Sequence, residues 1–165
     1  MTEKYKTQSN NCENYDFVIV GGGAIGLFLA HQLKMKNKEL SVLVLEKENT
    51  VGQHTSGRNS GVLHAGIYYE PNTIKAQVCT KGSRRLREWI LENGLPLNKC
   101  GKVIVPQDEA LDNQIDVLYK RANENKCRVE IWDQGDLTKN CPEARSASGR
   151  ALWSRDTCVT QPKEV

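Results

Sequence analysis

The stretch 16–26, DFVIVGGGAIG, runs an apolar segment straight into Gly21-x-Gly23-x-x-Gly26, and Glu46 follows about twenty residues later at the end of a second apolar run. A glycine triplet alone says little, but a strand before it, a helix after it and an acid at that distance define a dinucleotide-binding βαβ unit. Val18, Ile19 and Val20 form a continuous apolar run, as in a parallel strand buried on both faces. Gly21 allows the tight turn, Gly23 lets a pyrophosphate approach the backbone, and Gly26 lets the helix pack close to the sheet. The helix start offers unpaired N–H groups and roughly half a positive charge to a phosphate. Glu46, at the tip of the second strand, accepts from a ribose 2′-hydroxyl and repels a 2′-phosphate, which disfavours NADP.

The 165 residues are compatible with one domain. A complete dinucleotide-binding oxidoreductase also needs further parallel strands and a substrate domain, and the chain stops at QPKEV just after a strand-like segment. It therefore reads as an N-terminal fragment. Basic and acidic residues number 23 and 20 and are intermingled, so nothing resembles a nucleic-acid stripe or a polybasic patch, and no nucleic-acid partner is expected. Residues 1–14 are polar, with no apolar core of a secretory signal, and read as a disordered leader. Six scattered cysteines include no CxxC pair, so no metal site is expected; without an export signal, a reducing cytoplasm is the inferred location.

A strand over 16–20, a helix from Ala24 to about Lys36 and a strand over 41–45 make the first unit. From about Asn72 to Glu92, Ile74, Val78, Leu86 and Ile90 recur at multiples of four beside Trp89, which predicts one buried helix face ending at Gly94 and Pro96. Further strands are expected over 102–105, 128–132 and 150–154. Between them lie a helix capped by Asp108 and carrying Leu111, Ile115, Leu118 and Ala122, and a short helical turn over 135–140. Lacking a second glycine fingerprint, the later block is placed in another subdomain. The expected class is α/β: a Rossmann-like FAD/NAD(P)-binding βαβ unit over 15–96, with the start of an α+β substrate domain over 97–165, incomplete.

Residues 52–69, GQHTSGRNSGVLHAGIYY, carry the chemistry. A nicotinamide-binding unit normally enters another helix soon after its ribose acid. Here hydroxyls of Thr55, Ser56 and Ser60, the Asn59 amide, Arg58 and His64 are interleaved with Gly57, Gly61 and Gly66. Such donors suit a diphosphate and the polar rim of a flavin. A ligand-free surface loop has a similar composition.

The glycine strand-turn, Glu46, HTSGRNSGVLHAGIYY, PNTIKA and CGKVIV together resemble the FAD-dependent L-2-hydroxyglutarate oxidase/dehydrogenase family within the D-amino-acid oxidase group. The likeness runs from about Tyr15 to Val159 and is densest over 52–76. At 157–161, TCVTQ stands where the family has a small-apolar-Asp pattern entering a helix. The resemblance implies an FAD site made by Gly21, Gly23, Ala24, Ile25, Gly26, Glu46, Lys47, Thr55, Ser56, Arg58, Asn59, Ser60 and Gly61. It places His64 close to the isoalloxazine. It also implies oxidation of a 2-hydroxydicarboxylate, foremost L-2-hydroxyglutarate, to the 2-oxo acid, with oxygen or a quinone reoxidising the flavin. Peripheral contact at the inner face of the membrane would accompany the quinone.

That chemistry needs a hydride acceptor, a base for the hydroxyl proton and cations for the carboxylates. His64 is the base candidate, since an ordinary imidazole with a pKa of about 6.5 takes up a proton near neutrality. Its other reading is a hydrogen bond to flavin or backbone. Arg58 either neutralises phosphate and reduced flavin or pairs with an acid. Tyr68 and Tyr69 reach substrate or pack in the core, and Lys75 faces a ligand or solvent. His54 and His31 read as structural or surface residues. Two further hypotheses stand beside flavin oxidation: an NAD-dependent dehydrogenase, and a non-enzymatic flavin-binding module or split subunit.

Overall fold

The computed structural model describes residues 14–165. The expected leader over 1–14 lies outside the described residues apart from Asn14. Contacts divide the chain into two units, one ending at Arg58 and the other spanning Asn59–Val165.

In the first unit, β1 (Phe17–Val20), α1 (Ala24–Lys36) and β2 (Val42–Leu45) follow in order, and β1 pairs with β2 in parallel from Phe17 opposite Val42 to Val20 opposite Leu45. A polar clasp sets where pairing starts. Asp16 Oδ2 accepts from the Ser41 backbone N–H at 2.8 Å and its hydroxyl at 2.9 Å, and the Asp16 N–H donates back to Ser41 Oγ. Lys34 and Lys36 in the last turn of α1 oppose the negative end of its dipole.

Burial of β1 on both faces is an expectation that the structure corrects. Only Ile19 is buried, while Val18 and Val20 are 54% and 85% exposed and α1 buries no residue. A parallel strand is enclosed only when helices cover both faces and strands flank both edges. Among the described residues this sheet has two strands and one helix.

The second unit is built on two antiparallel sheets. In one, β8 (Cys158–Thr160) lies between β3 (Val62–Leu63) and β4 (Leu97–Asn98). In the other, β7 (Ala151–Ser154) lies between β5 (Lys102–Ile104) and β6 (Val129–Trp132). Helices α2 (Ile74–Glu92), α3 (Asn113–Glu124) and α4 (Gln134–Asn140) complete it. One core gathers Ala65, Ile67, Ala122 and Cys127 against Ile104 and Val129; another gathers Leu63, Ile90 and Cys158 against Leu86, Trp89, Leu95 and Leu97. β8 pairs with β3, which precedes the expected boundary near Leu97, and with β4, which begins at it.

The buried face of α2 differs from the expected one. Ile90 and Ala76 are buried, but Ile74 and Val78 are 80% and 64% exposed. Each four-residue step overshoots a turn by about 40°, so Ile74 and Ile90 end about 160° apart around the helix. The helix closes as expected at Gly94, whose φ is +65°. Gly94 N–H donates to Leu91 O, and Leu95 N–H to Ile90 O, while Leu95 packs on the core that holds Ile90. Asp108 caps a 3₁₀ turn, Glu109–Leu111, and α3 begins only after it.

The β7–β8 turn is tied down by Asp156, which accepts from Arg128 N, Nε and Nη2 at 2.9, 2.8 and 2.5 Å, while Arg87 Nη2 donates to its carbonyl at 3.0 Å. Burial works against the charged carboxylate, yet the bonds from Arg128 outweigh it and hold Asp156 below the usual carboxylate range. A depressed folded pKa contributes stability above the unfolded value of about 3.9 and loses it as pH falls through the folded value. Asp156→Asn should therefore be less stable than the parent at neutral pH, with the gap closing as the pH drops below the carboxylate range. Urea melts at a series of pH values measure it; a gap constant with pH would deny the ionic tie.

Candidate functional site

Gly21 leaves β1 with φ +106°, a conformation L side chains avoid, and its N–H donates to Leu45 O at 2.7 Å, tying the turn to β2. The chain then folds back so tightly that a Cβ on Gly26 would lie 2.0 Å from Gly21 O and 3.2 Å from Ile19 Cγ2. At Gly23 a Cβ would lie 3.0 Å from Ser56 Oγ. That hydroxyl accepts from Ala24 N–H at 2.9 Å, so a residue from the following loop caps the first turn of α1. An oxygen acceptor at the start of α1 is what the helix dipole favours.

Glu46 faces the same turn. Its Oε2 accepts from Gly22 N–H at 2.7 Å and its Oε1 from Glu48 N–H at 3.0 Å. The Glu48 bond first, and the Gly22 bond second, hold its carboxyl below the usual carboxylate range. Each oxygen keeps a lone pair for a further donor such as a hydroxyl. Gly22 is the member of this turn that neither the fingerprint nor the family resemblance singles out. It is buried, its carbonyl accepts from Gly52 N–H at 2.9 Å, and a Cβ there would press on Val51 and Glu46. The signal for it is the unbroken run of three glycines.

The structure thus brings Gly21, Gly22, Gly23, Ala24, Gly26, Glu46 and Ser56 together. The cradle fits a diphosphate at the helix start, where Gly26 has no room for a Cβ and Gly23 little, beside the Ser56 hydroxyl, while the Glu46 carboxylate, which would repel a phosphate, suits a ribose hydroxyl. Ile25 is 88% exposed, and Lys47 is exposed with its ammonium 3.7 Å from Glu48. Thr55 and Arg58 are exposed; Thr55 O accepts from Arg58 N–H at 3.4 Å. His54 Nε2 lies 2.8 Å from Glu48 Oε1, in keeping with a structural or surface role.

In the second unit, Asn59 and Ser60 are exposed and lead into β3. Asn59 Oδ1 accepts from Gly61 N–H at 2.8 Å, an Asx-type turn. Gly61 is buried, with φ +66° and a carbonyl that accepts from Thr160 N–H. His64 directly follows β3 with its side chain exposed and its carbonyl 3.6 Å from Cys79 Sγ. The residues beyond it are held by partners far along the chain. Cys127 Sγ donates to Ala65 O at 2.9 Å, and burial first, with the nearby Asp156 charge second, pushes that thiol up to about 11, so it stays a donor near neutrality. Lys75 Nζ lies 4.9 Å over the Tyr69 ring, and Lys102 Nζ 4.8 Å over the Tyr68 ring.

L-2-hydroxyglutarate dehydrogenase, mitochondrial, of Dictyostelium discoideum is 44% identical over 152 residues, 92% of this chain and 34% of that protein. The protein of the same name from Caenorhabditis elegans is 40% identical over 153 residues, 92% of this chain and 35% of that one. The chain spans about a third of the length of the curated relatives it matches. Among solved structures, dithionite-reduced L-alpha-glycerophosphate oxidase from Mycoplasma pneumoniae with FAD bound superposes with a TM-score of 0.82 at 28% identity, covering 92% of this chain and 40% of that one.

The mitochondrial names of the relatives overturn the cytoplasmic expectation. Lack of an apolar run argues only against a secretory signal, because organelle transit segments are amphipathic rather than apolar.

The profile of the family described as DAO, FAD dependent oxidoreductase, matches residues 16–165. That stretch takes in the glycine cradle, its carboxylate and every strand and helix described above, and it favours FAD over NAD as the ligand of the turn. This chain belongs to the FAD dependent oxidoreductase family.

Proposed function

We propose that the protein carrying this chain oxidises the C2 hydroxyl of a 2-hydroxydicarboxylate, foremost L-2-hydroxyglutarate, to the 2-oxo acid. The observation that carries this reading is the match at 40–44% identity to L-2-hydroxyglutarate dehydrogenases over 92% of the chain, glycine cradle included. Gly21, Gly23, Ala24 and Gly26 would hold the FAD diphosphate with Ser56, while Glu46 would accept from the ribose. Ile25, Lys47, Thr55, Arg58, Asn59, Ser60 and Gly61 belong to the same proposed cofactor path. Bound FAD supplies the hydride acceptor. An imidazole nitrogen of His64 takes the hydroxyl proton as the C2 hydride leaves, so that two electrons and two protons depart from the alcohol. Lys75 is the cation proposed for a substrate carboxylate.

Oxygen or a quinone is the proposed final acceptor, and a quinone would require peripheral contact with a membrane. Among the described residues no helix is long and apolar enough to cross one.

Anaerobic mixing with L-2-hydroxyglutarate should bleach the flavin of the complete protein. Substituting His64→Gln should slow that bleaching by about 100- to 10,000-fold with flavin loading unchanged, the range for losing a general base. Stopped-flow absorbance measures both. No bleaching by any 2-hydroxydicarboxylate would overturn the substrate class, and parental bleaching in the variant would remove His64 as the base.

A further inference from the structure

After β3 the chain leaves regular structure, yet the carbonyls beside His64 are bonded almost without a gap. Asn125 Nδ2 donates to Gly66 O at 3.0 Å and to Tyr69 O at 2.8 Å, using both hydrogens of one amide on residues 59 and 56 positions away. Arg121 Nη1 donates to Tyr68 O at 3.4 Å and its Nη2 pairs with Glu70 at 2.5 Å. Cys127 takes the Ala65 carbonyl, and Cys79 stands at that of His64. Arg121 in the last turn of α3, with Asn125 and Cys127 just after it, therefore bonds much of the segment that carries His64, Tyr68 and Tyr69.

The helix end is shaped for this. Asn125 is the C-cap of α3, and Lys126 after it takes φ +60°, the left-handed region that usually belongs to glycine. Lys126 N–H donates to Asn123 O and Cys127 N–H to Ala122 O, which turns the chain so that the Asn125 amide and the Cys127 thiol address the same segment. A non-glycine residue kept in that region marks a turn whose geometry is imposed by its surroundings. On the other side, Gly66 (φ +101°) has no room: a Cβ there would lie 2.6 Å from Thr80 Cγ2 of α2. With Thr80 of α2 crowding Gly66 and Asn125 bonded to the Gly66 and Tyr69 carbonyls, the segment has little freedom to shift.

We infer that Asn125 is a positioning residue of the oxidation: it touches neither substrate nor flavin, and it fixes the direction in which His64 leaves β3 by holding the Gly66–Tyr69 turn. The inference rests on the reading of His64 as proton acceptor. Shifts of about 1 Å in a reacting group cost up to about 100-fold in rate.

The test compares Asn125→Ala and Asn125→Asp with Asn123→Ala in the complete, flavin-loaded protein. Asn123 is the fitting control, because its amide donates only within its own helix, to Tyr119 O at 2.9 Å. Both Asn125 variants should lose about tenfold or more in kcat with little change in KM, and the acid limb of the kcat/KM profile should move. Asp should rescue nothing, since it keeps the shape and loses the donors. Asn123→Ala should keep the parental kcat and pH profile. Parental kcat and pH profile in Asn125→Ala, with only a lower melting temperature, would overturn the inference. If Asn125→Ala does not accumulate, Asn125→Ser keeps one donor and should give an intermediate kcat; a parental kcat there would overturn it equally. His64→Gln run in parallel separates the two ideas. Parental kcat in that variant removes the proton-acceptor reading, whereas an impaired His64→Gln beside a parental Asn125→Ala removes only the positioning role.

Discussion

Gly26→Ala should leave the protein with little or no bound flavin. The added methyl would lie 2.0 Å from Gly21 O, a backbone atom that cannot rotate away, and 3.2 Å from Ile19. Overpacking typically costs about 1–3 kcal/mol, and an immovable carbonyl at that distance belongs at the upper end. Relief requires α1 to slide along β1, which carries the Ala24 N–H away from Ser56 and opens the cradle. At 1.4 kcal/mol per decade, the FAD dissociation constant should rise about 100-fold. Flavin fluorescence titration of the apoprotein measures it. Gly82→Ala is the control: nothing lies within 4 Å of its would-be Cβ on α2, and a helix-interior alanine stabilises by roughly 0.5–1 kcal/mol. Parental affinity in Gly26→Ala would mean that the turn does not hold the diphosphate.

Gly61→Ala should damage stability more than cofactor binding. Gly61 sits at φ +66°, and a Cβ would lie 2.0 Å from Thr160 O, the residue whose N–H bonds the Gly61 carbonyl. The methyl drives β3 away from β8 and loosens the core that Leu63 and Cys158 share with Ile90. Left-handed strain of about 1–2 kcal/mol adds to overpacking of about 1–3 kcal/mol. A unit of this size should then melt roughly 10–30 °C lower. The melt is read on flavin-free protein, where a purely cofactor-contacting glycine would change nothing; an unchanged melting temperature would assign Gly61 to the ligand alone.

At Gly61 the glycine-rich loop suggests close backbone approach, and the fold adds a demand that the loop does not show: its carbonyl accepts from Thr160 of β8, and a Cβ would meet the Thr160 carbonyl. β8 carried no period-2 signal, because its three residues, Cys158–Thr160, are too short to show one, and it finds β3 nearly a hundred residues earlier in the chain. The same limit applied to Asn125, whose importance depends on two carbonyls more than fifty residues away. Along α2 the apolar spacing was real, but four-residue steps drift around the helix and only packing selects the inward stripe.

The amino-acid order alone was enough to fix the βαβ unit, its glycine turn and the carboxylate at Glu46. Each is a local requirement: a positive φ, a missing Cβ, a strand whose length brings an acid to its tip. Tertiary structure alone decided that Ser56 caps α1, that β8 joins β3 to β4, and that the end of α3 holds the segment after His64. Those contacts pair groups far apart in the chain, and no periodicity encodes them. They arise because backbone donors and acceptors removed from water must be satisfied by whatever the fold brings near.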